Sequence, residues 1–357
     1  MADGAPRSFI YAGSAPWASD SAGQSRGGLF RRAVGDAHWE PLRRGLPEPA
    51  EVRAIAVHPV DSSVVYVGTQ DGPYRSTDRG EHWERLNFPD AAPVVWSILV
   101  HPRDPRTLYL GTAPAAVYRS DDGGDAWHRL PEVRPLERVQ TPFPTRVTRL
   151  AADTNRPDEI YAALEVGGVM RSADGGVSWT DCSQDLVKLA ERAHLKSRIV
   201  SDTDTEGMLD AHALCLSSAR PGTVFLALRM GLFQSVDRGS TWEDMEIGRF
   251  SPLTYARDVQ VAPHDARVLY ACLSPAARSE DGALYRSDDL GTTWNRLDRD
   301  VTARSTMMAV ALHHHDRAQV YCVTRSGQVF GTQDGGRSWH EYPLPAGIGD
   351  VYAVACG

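Results

Sequence analysis

Tyr118-Arg-Ser-Asp-Asp-Gly-Gly-Asp-Ala-Trp-His-Arg-Leu130 decides the fold, because close copies of it recur along the chain, each behind a similar two-strand pattern. The copies run Tyr74 to Leu86, Met170 to Cys182, Phe233 to Met245, Tyr285 to Leu297 and Phe330 to Tyr342, and all read Ser/Thr-x-Asp-x-Gly-x-x-Trp. Such a stretch is a hairpin: an Asp able to bond backbone amides two residues on, a Gly free to take positive φ, and a Trp that clamps the turn.

Working outward, each copy is preceded by two apolar runs. The first is of the type Arg53-Ala-Ile-Ala-Val-His-Pro59 or Trp96-Ser-Ile-Leu-Val-His-Pro102, and the second of the type Val65-Tyr-Val-Gly-Thr69. Near-continuous Val, Ile and Tyr suit strands covered on both faces. Residues 8 to 42 hold a worn repeat with no such first strand, while Asp350-Val-Tyr-Ala-Val-Ala-Cys356 is a first strand with no repeat behind it. The two complete one another. The expected fold is all-β: a seven-bladed β-propeller over 1-357 in one domain, closed by N- and C-terminal strands that share a blade.

Six turns of this kind resemble the Asp-box, or BNR, repeat of sialidases, sortilin-type receptors, xyloglucan-active glucanases and photosystem II assembly factors. The resemblance implies the fold and leaves function open, since those relatives do unrelated things. Sialidases are six-bladed and carry an Arg-Ile-Pro motif near the start, which this sequence lacks. Xyloglucan-active glucanases place their cleft between two tandem propellers.

The 357 residues carry 42% hydrophobic and 24% charged residues and a net charge of −8, an ordinary globular composition that argues against a nucleic-acid or anionic-membrane binder. No stretch reads as a signal peptide or a membrane span, so a cytoplasmic protein is expected. Cys182, Cys215, Cys272, Cys322 and Cys356 show no CxxC spacing and read as buried free thiols.

Two insertions break the rhythm. Residues 183-209 combine a helix-like Asp185 to Lys196 with the polar Ser201 to Gly207, and are expected to act as a lid on the loop-rich face; Glu132 to Pro144 is the second. The long loops Ala15 to Gly27 and Ser274 to Gly282 belong on that same face, where function usually resides.

If the first strands align, one column faces the mouth of the central channel: Arg53, Trp96, Thr148, His212, Arg257, Met308 and Tyr352. Two residues earlier come Glu51, Val94, Arg146, Asp210, Tyr255, Thr306 and Asp350, and two residues deeper Ile55, Ile98, Leu150, Leu214, Val259, Val310 and Val354. Asp210 two before His212 is the sharpest pair, a carboxylate placed to orient an imidazole and raise its basicity; Asp350 and Tyr352 repeat it with a phenol. These four are the catalytic candidates. Arg53, Arg146 and Arg257 suit an anionic group, Trp96 and Tyr255 an aromatic or sugar ring, and Glu51 completes the binding set. A divalent metal is an option, with His212, Asp210, Glu51 and His194 as candidate ligands; no organic cofactor is expected.

The ring favours a lyase or hydrolase acting on a small anionic substrate at the channel mouth, with a small molecule preferred to a protein partner. The alternatives are a non-catalytic scaffold that binds a partner protein through its loop-rich face, and a sialidase-like glycoside hydrolase. Bland salt bridging at strand starts would give much the same ring, since exposed pairs of that kind are common and contribute little.

Overall fold

The computed structural model describes residues 7–16, 27–91, 93–133, 143–196 and 206–357. Within them the chain forms seven four-stranded antiparallel sheets, one per blade. The innermost strands are Val52–Val57, Val94–Val100, Val147–Ala152, Ala211–Leu216, Tyr255–Ala262, Met307–Leu312 and Val351–Cys356. The last of these pairs with Phe9–Ser14, which opens the chain's first blade, so the ring closes through a blade built from both ends of the sequence.

Composition explains the layers. The second strands, such as Val65–Thr69, Ile160–Leu164, Val224–Leu228 and Val320–Thr324, are buried along their whole length, as apolar runs covered by a neighbouring blade on each side must be. The core therefore lies between blades. One cluster, for example, joins Tyr11 and Leu29 of the first blade to Val52, Val65 and Trp83 of the second.

The repeated turn works somewhat differently from its sequence reading. The Asp bonds the amide four residues on, not two: Asp78 Oδ1 accepts from His82 N at 2.9 Å and Asp122 Oδ1 from Ala126 N at 3.0 Å. The Ser two residues before it takes the nearer amide, Ser76 Oγ accepting from Gly80 N at 2.7 Å. Gly80 and Gly124 have φ of 94° and 101°, so the turn needs glycine there. The indoles of Trp83 and Trp127 donate back to the carbonyls of those glycines.

The helical half of the long insertion, Gln184–Leu189 followed by a 3-10 turn at Ala193–Leu195, lies against the next blade's outer flank. Leu186, Leu189 and Leu195 share a core cluster with Phe233 and Trp242, Asp185 accepts from Trp242 N at 2.8 Å, and His194 pairs with Asp244 of the outermost strand. Residues 197–205 of the expected lid lie outside the described residues, as do 17–26 and 134–142 of the other long loops. The Ser274 to Gly282 loop does reach the mouth face, where Ala276 O and Ala277 O accept from Thr306 Oγ1. The five cysteines are unpaired, four buried and Cys215 half-buried.

Two outcomes test this account. Deleting Asp350 to Gly357 should abolish cooperative melting, because it removes a whole inner strand and opens a sheet edge; a transition at the original temperature would overturn ring closure. The second concerns Asp298, whose side chain is fully buried, with one oxygen on Arg296 Nε at 3.0 Å and the other unpartnered. Burial, against Arg296, pushes its carboxyl up to about 6. A raised folded-state value means that stability is complete below about pH 4 and is lost as pH rises through 6, by up to about 3 kcal/mol. Asp298→Asn should therefore raise the melting temperature by a few degrees at pH 7.5 and leave it nearly unchanged at pH 4.

Candidate active site at the channel mouth

Each innermost strand pairs out of step by one residue at its channel-mouth end. In the second blade Val52 faces Thr69 and Ala54 faces Gly68, so Arg53 is skipped. The residues skipped in the same way are Trp96, Thr148, His212, Arg257, Met308 and Tyr352. These are the seven of the predicted column, and all seven line one cleft at the mouth. A bulge frees a side chain from the alternation of its strand and re-aims it, here towards the axis. The seven deeper residues, Ile55 through Val354, line the wider apolar chamber below, as their spacing implied.

Charge at the mouth is almost entirely paired. Arg53 Nη2 meets Glu51 at 2.7 Å, Arg146 contacts Glu165, Arg229 Nε meets Asp210 at 2.9 Å, and Arg325 meets Asp350 at 2.7 Å. The guanidiniums of Arg53 and Arg146 also stack on the Trp96 ring, at 5.1 and 4.2 Å from its centroid, and Tyr352 packs edge-on against it at 5.6 Å. This corrects three expectations. Arg53 and Arg146 already hold carboxylates, Trp96 is taken up by the two guanidiniums and Tyr352, and Asp350 serves Arg325.

Arg257 is the exception. It is half-buried in the cleft, and among the described residues no carboxylate lies within 4.0 Å of it. Of the groups that favour its charge Tyr255 acts most strongly, followed by Tyr352, Glu165 and Asp210. Burial opposes its charge, but these groups outweigh burial and keep it a cation.

His212 is buried, with Nδ1 2.7 Å from Ala256 O. A carbonyl only accepts, so Nδ1 carries the proton and Nε2 presents its lone pair to Tyr255 OH at 3.3 Å. Asp210 Oδ2 lies 3.4 Å from the same Nε2. The expected rise in basicity does not follow. Burial pushes the imidazole down, Arg257 adds to that, and Asp210 only partly opposes it. Asp210 is held well below the usual carboxylate range in spite of burial, by His212 first and then by Arg229 and Arg257. The result is a neutral imidazole that accepts from a phenol, and that phenol stands two residues before Arg257 on the same inner strand. A proton moved from Tyr255 to His212 would leave a phenolate beside Arg257 and an imidazolium beside Asp210, each next to an opposite charge.

Of the four metal candidates the fold brings together only Asp210 and His212. His194 turns to Asp244, Glu51 to Arg53 and Asp210 to Arg229, and among the described residues no three His, Cys, Asp or Glu side chains are grouped to hold an ion.

Several site residues escaped the sequence reading. Arg149 crosses to Asp258 at 2.8 Å on the floor of the cleft, and Asp258 also accepts from Val310 N and Gln260 Nε2, both at 3.1 Å. Their signal was a charged pair inside otherwise apolar strands, Thr148-Arg-Leu and Arg257-Asp-Val. Glu165, Arg229 and Arg325 each follow directly on a second strand, so they form a column of their own facing the first residues of the inner strands.

Because Asp210 is the one group that favours the imidazolium by its charge, Asp210→Asn should move the His212 titration, read from its Cε1 proton by NMR, to lower pH. It should also cost about 3–5 kcal/mol of stability, by leaving Arg229 unpaired beside the buried site. A rise in the titration midpoint would refute this electrostatic account.

Comparison with known proteins places the chain in context. It is 30% identical to a probable oligoxyloglucan-reducing end-specific xyloglucanase of Neosartorya fischeri over 215 residues, which make up 58% of this chain and 22% of that one. Among solved structures, the GH74 xyloglucanase of Xanthomonas campestris matches with a TM-score of 0.62 at 18% identity, over 85% of this chain and 46% of that one. The structure of YCF48 bound to a D1 peptide matches with a TM-score of 0.53 at 15% identity, over 85% and 84%. The chain thus spans about a fifth of the length of the curated xyloglucanase and just under half of the solved one. A sortilin, neurotensin receptor 3 family model matches residues 282–353, and the DUF6242 beta propeller domain model matches residues 10–311. That second match takes in most of the chain, which therefore belongs to the DUF6242 beta propeller domain family.

Proposed function

We propose that the protein is an enzyme, a hydrolase or a lyase, whose small anionic substrate sits at the channel mouth against Arg257, with Tyr255 and His212 as its acid-base pair. One observation carries the reading: among the described residues four arginines around the mouth are matched to carboxylates, while Arg257, two positions along its strand from the phenol hydrogen-bonded to the ring's histidine, is not. In this reading Arg257 fixes the anion, Tyr255 passes its proton to His212 Nε2, and the phenolate takes a proton from water or from the substrate. Asp210 stabilises the imidazolium. Five unpaired thiols support a reducing, cytoplasmic setting. Similarity to xyloglucanases favours hydrolysis over elimination, although the chain covers only part of their length.

A scaffold reading keeps one specific support, the same fold in YCF48 bound to a D1 peptide. In a scaffold, alanine substitutions along the Ser274 to Gly282 loop would abolish partner binding, and substitutions in the cleft would not.

The test uses two variants. Arg257→Ala should weaken binding of a small carboxylate by ~10–100-fold, the worth of a hydrogen-bonded charge, in calorimetry on the purified chain. Tyr255→Phe keeps the ring and removes only the hydroxyl, so it should melt close to the parent while turnover falls by ~10²–10⁴-fold. Unchanged binding in the first variant would reject the anion site, and unchanged turnover in the second would reject the acid-base pair.

A further inference from the structure

The floor of the cleft is built to meet a second group on the same ligand. Arg149 and Gln260 line both the mouth cleft and the chamber beneath, which places them at the step between the two. Arg149 uses Nη2 on Asp258, and its side chain is 36% exposed with Nη1 in no ion pair among the described residues. It therefore keeps donors to offer. Gln260 is oriented without ambiguity. Its amide nitrogen lies against two acceptors, Asp258 Oδ2 at 3.1 Å and Val310 O at 2.7 Å, so that nitrogen is the donor and Oε1 is left facing away from them as an acceptor.

A group that meets both must accept from Arg149 and donate to Gln260. A hydroxyl does both. A carboxylate accepts only, and would set its charge against Gln260 Oε1 and the fully buried Asp258. Charge counting among the described residues that line the cleft agrees: five arginine–carboxylate pairs surround it, and Arg257 lines it with no carboxylate within 4.0 Å, which suits one negative charge on the ligand. The step from Arg257 to the Arg149 level is one or two strand residues, ~3–7 Å, which matches a short carbon chain.

We propose that the cleft selects a monocarboxylate bearing a hydroxyl a few carbons from its acid group, the acid on Arg257 and the hydroxyl between Arg149 and Gln260. This rests on the anion reading of Arg257 given above. A dicarboxylate of the same length carries one charge too many, and a diol lacks the anchor.

The experiment is calorimetric titration of the full chain with matched four- to six-carbon sets: the alkanoate, its ω-hydroxy derivative, the dicarboxylate and the diol. The hydroxy acid should bind ~10–100-fold tighter than the alkanoate, the gain of a hydrogen bond to a charged group. The dicarboxylate should bind no better than the alkanoate, and the diol should not bind. Equal binding of hydroxy acid and alkanoate overturns this inference and leaves the anion site standing, and so does a preference for the dicarboxylate. If no acid of any set binds, the anion reading itself fails. Arg149→Lys, which keeps the charge facing Asp258 but loses the fork, should erase the preference for the hydroxy acid and retain alkanoate binding. Persistence of the preference in that variant, shown by its melting curve to be folded, would place the hydroxyl elsewhere and refute the assignment.

Discussion

Everything at the channel mouth depends on a single displaced residue in each innermost strand. An unbroken antiparallel ladder would send alternate side chains into the two neighbouring blades, where the space is filled by Val, Leu and Tyr. The skipped residue belongs to neither face. It can be Arg, Trp, Thr, His, Met or Tyr because the ladder resumes at the next position whatever its side chain does. The polar ring is thus a product of backbone geometry, and the apolar chamber below it marks where regular pairing returns.

A ring of charge half out of water is costly unless each ion is matched, and the chain matches them locally. The outer partner often comes from the hairpin that returns beside the same inner strand. Glu165 N donates to Arg146 O and Arg229 N to Asp210 O, so backbone pairing brings each charged pair into register. Arg325 spans two blades instead, its amide on Thr306 O and its side chain on Asp350. The mouth is thereby stitched together by ion pairs among the described residues. Against that background Arg257 stands out by chemistry alone, as a cation in the cleft with no carboxylate within 4.0 Å among the described residues.

The fold was legible because each turn repeats a physical device, a Ser and an Asp capping amides around a glycine in the left-handed region, and because the orphan strand at residues 350 to 356 had a single place to go. The column at the mouth was legible for a related reason: equivalent repeat positions occupy equivalent sites, so alignment stood in for coordinates. What alignment could not supply was pairing between columns. Arg53 and Arg146 read as open anchors until Glu51, Glu165 and the Trp96 ring were seen against them. His212 read as a base strengthened by Asp210 because spacing along a strand reports which face a residue is on and not how deeply it is buried. Burial reverses the sign of the effect.

The same separation of roles bears on how one propeller can serve different ends. The turns that hold each blade lie at one end of its strands and the skipped residues at the other. A substitution at Arg257 or Trp96 therefore changes neither the ladder nor the glycine turn, whereas a change at Gly124 meets both a φ of 101° and Leu86 Cδ1 at 2.8 Å from any added Cβ. Stability is written in residues that cannot vary freely, and chemistry in residues that the backbone has already released. Likeness in the turns consequently tracks architecture, which is why a shared fold with xyloglucanases and YCF48 does not by itself carry their ligands across. What distinguishes this propeller from those relatives is written in the seven released positions and the charges beneath them.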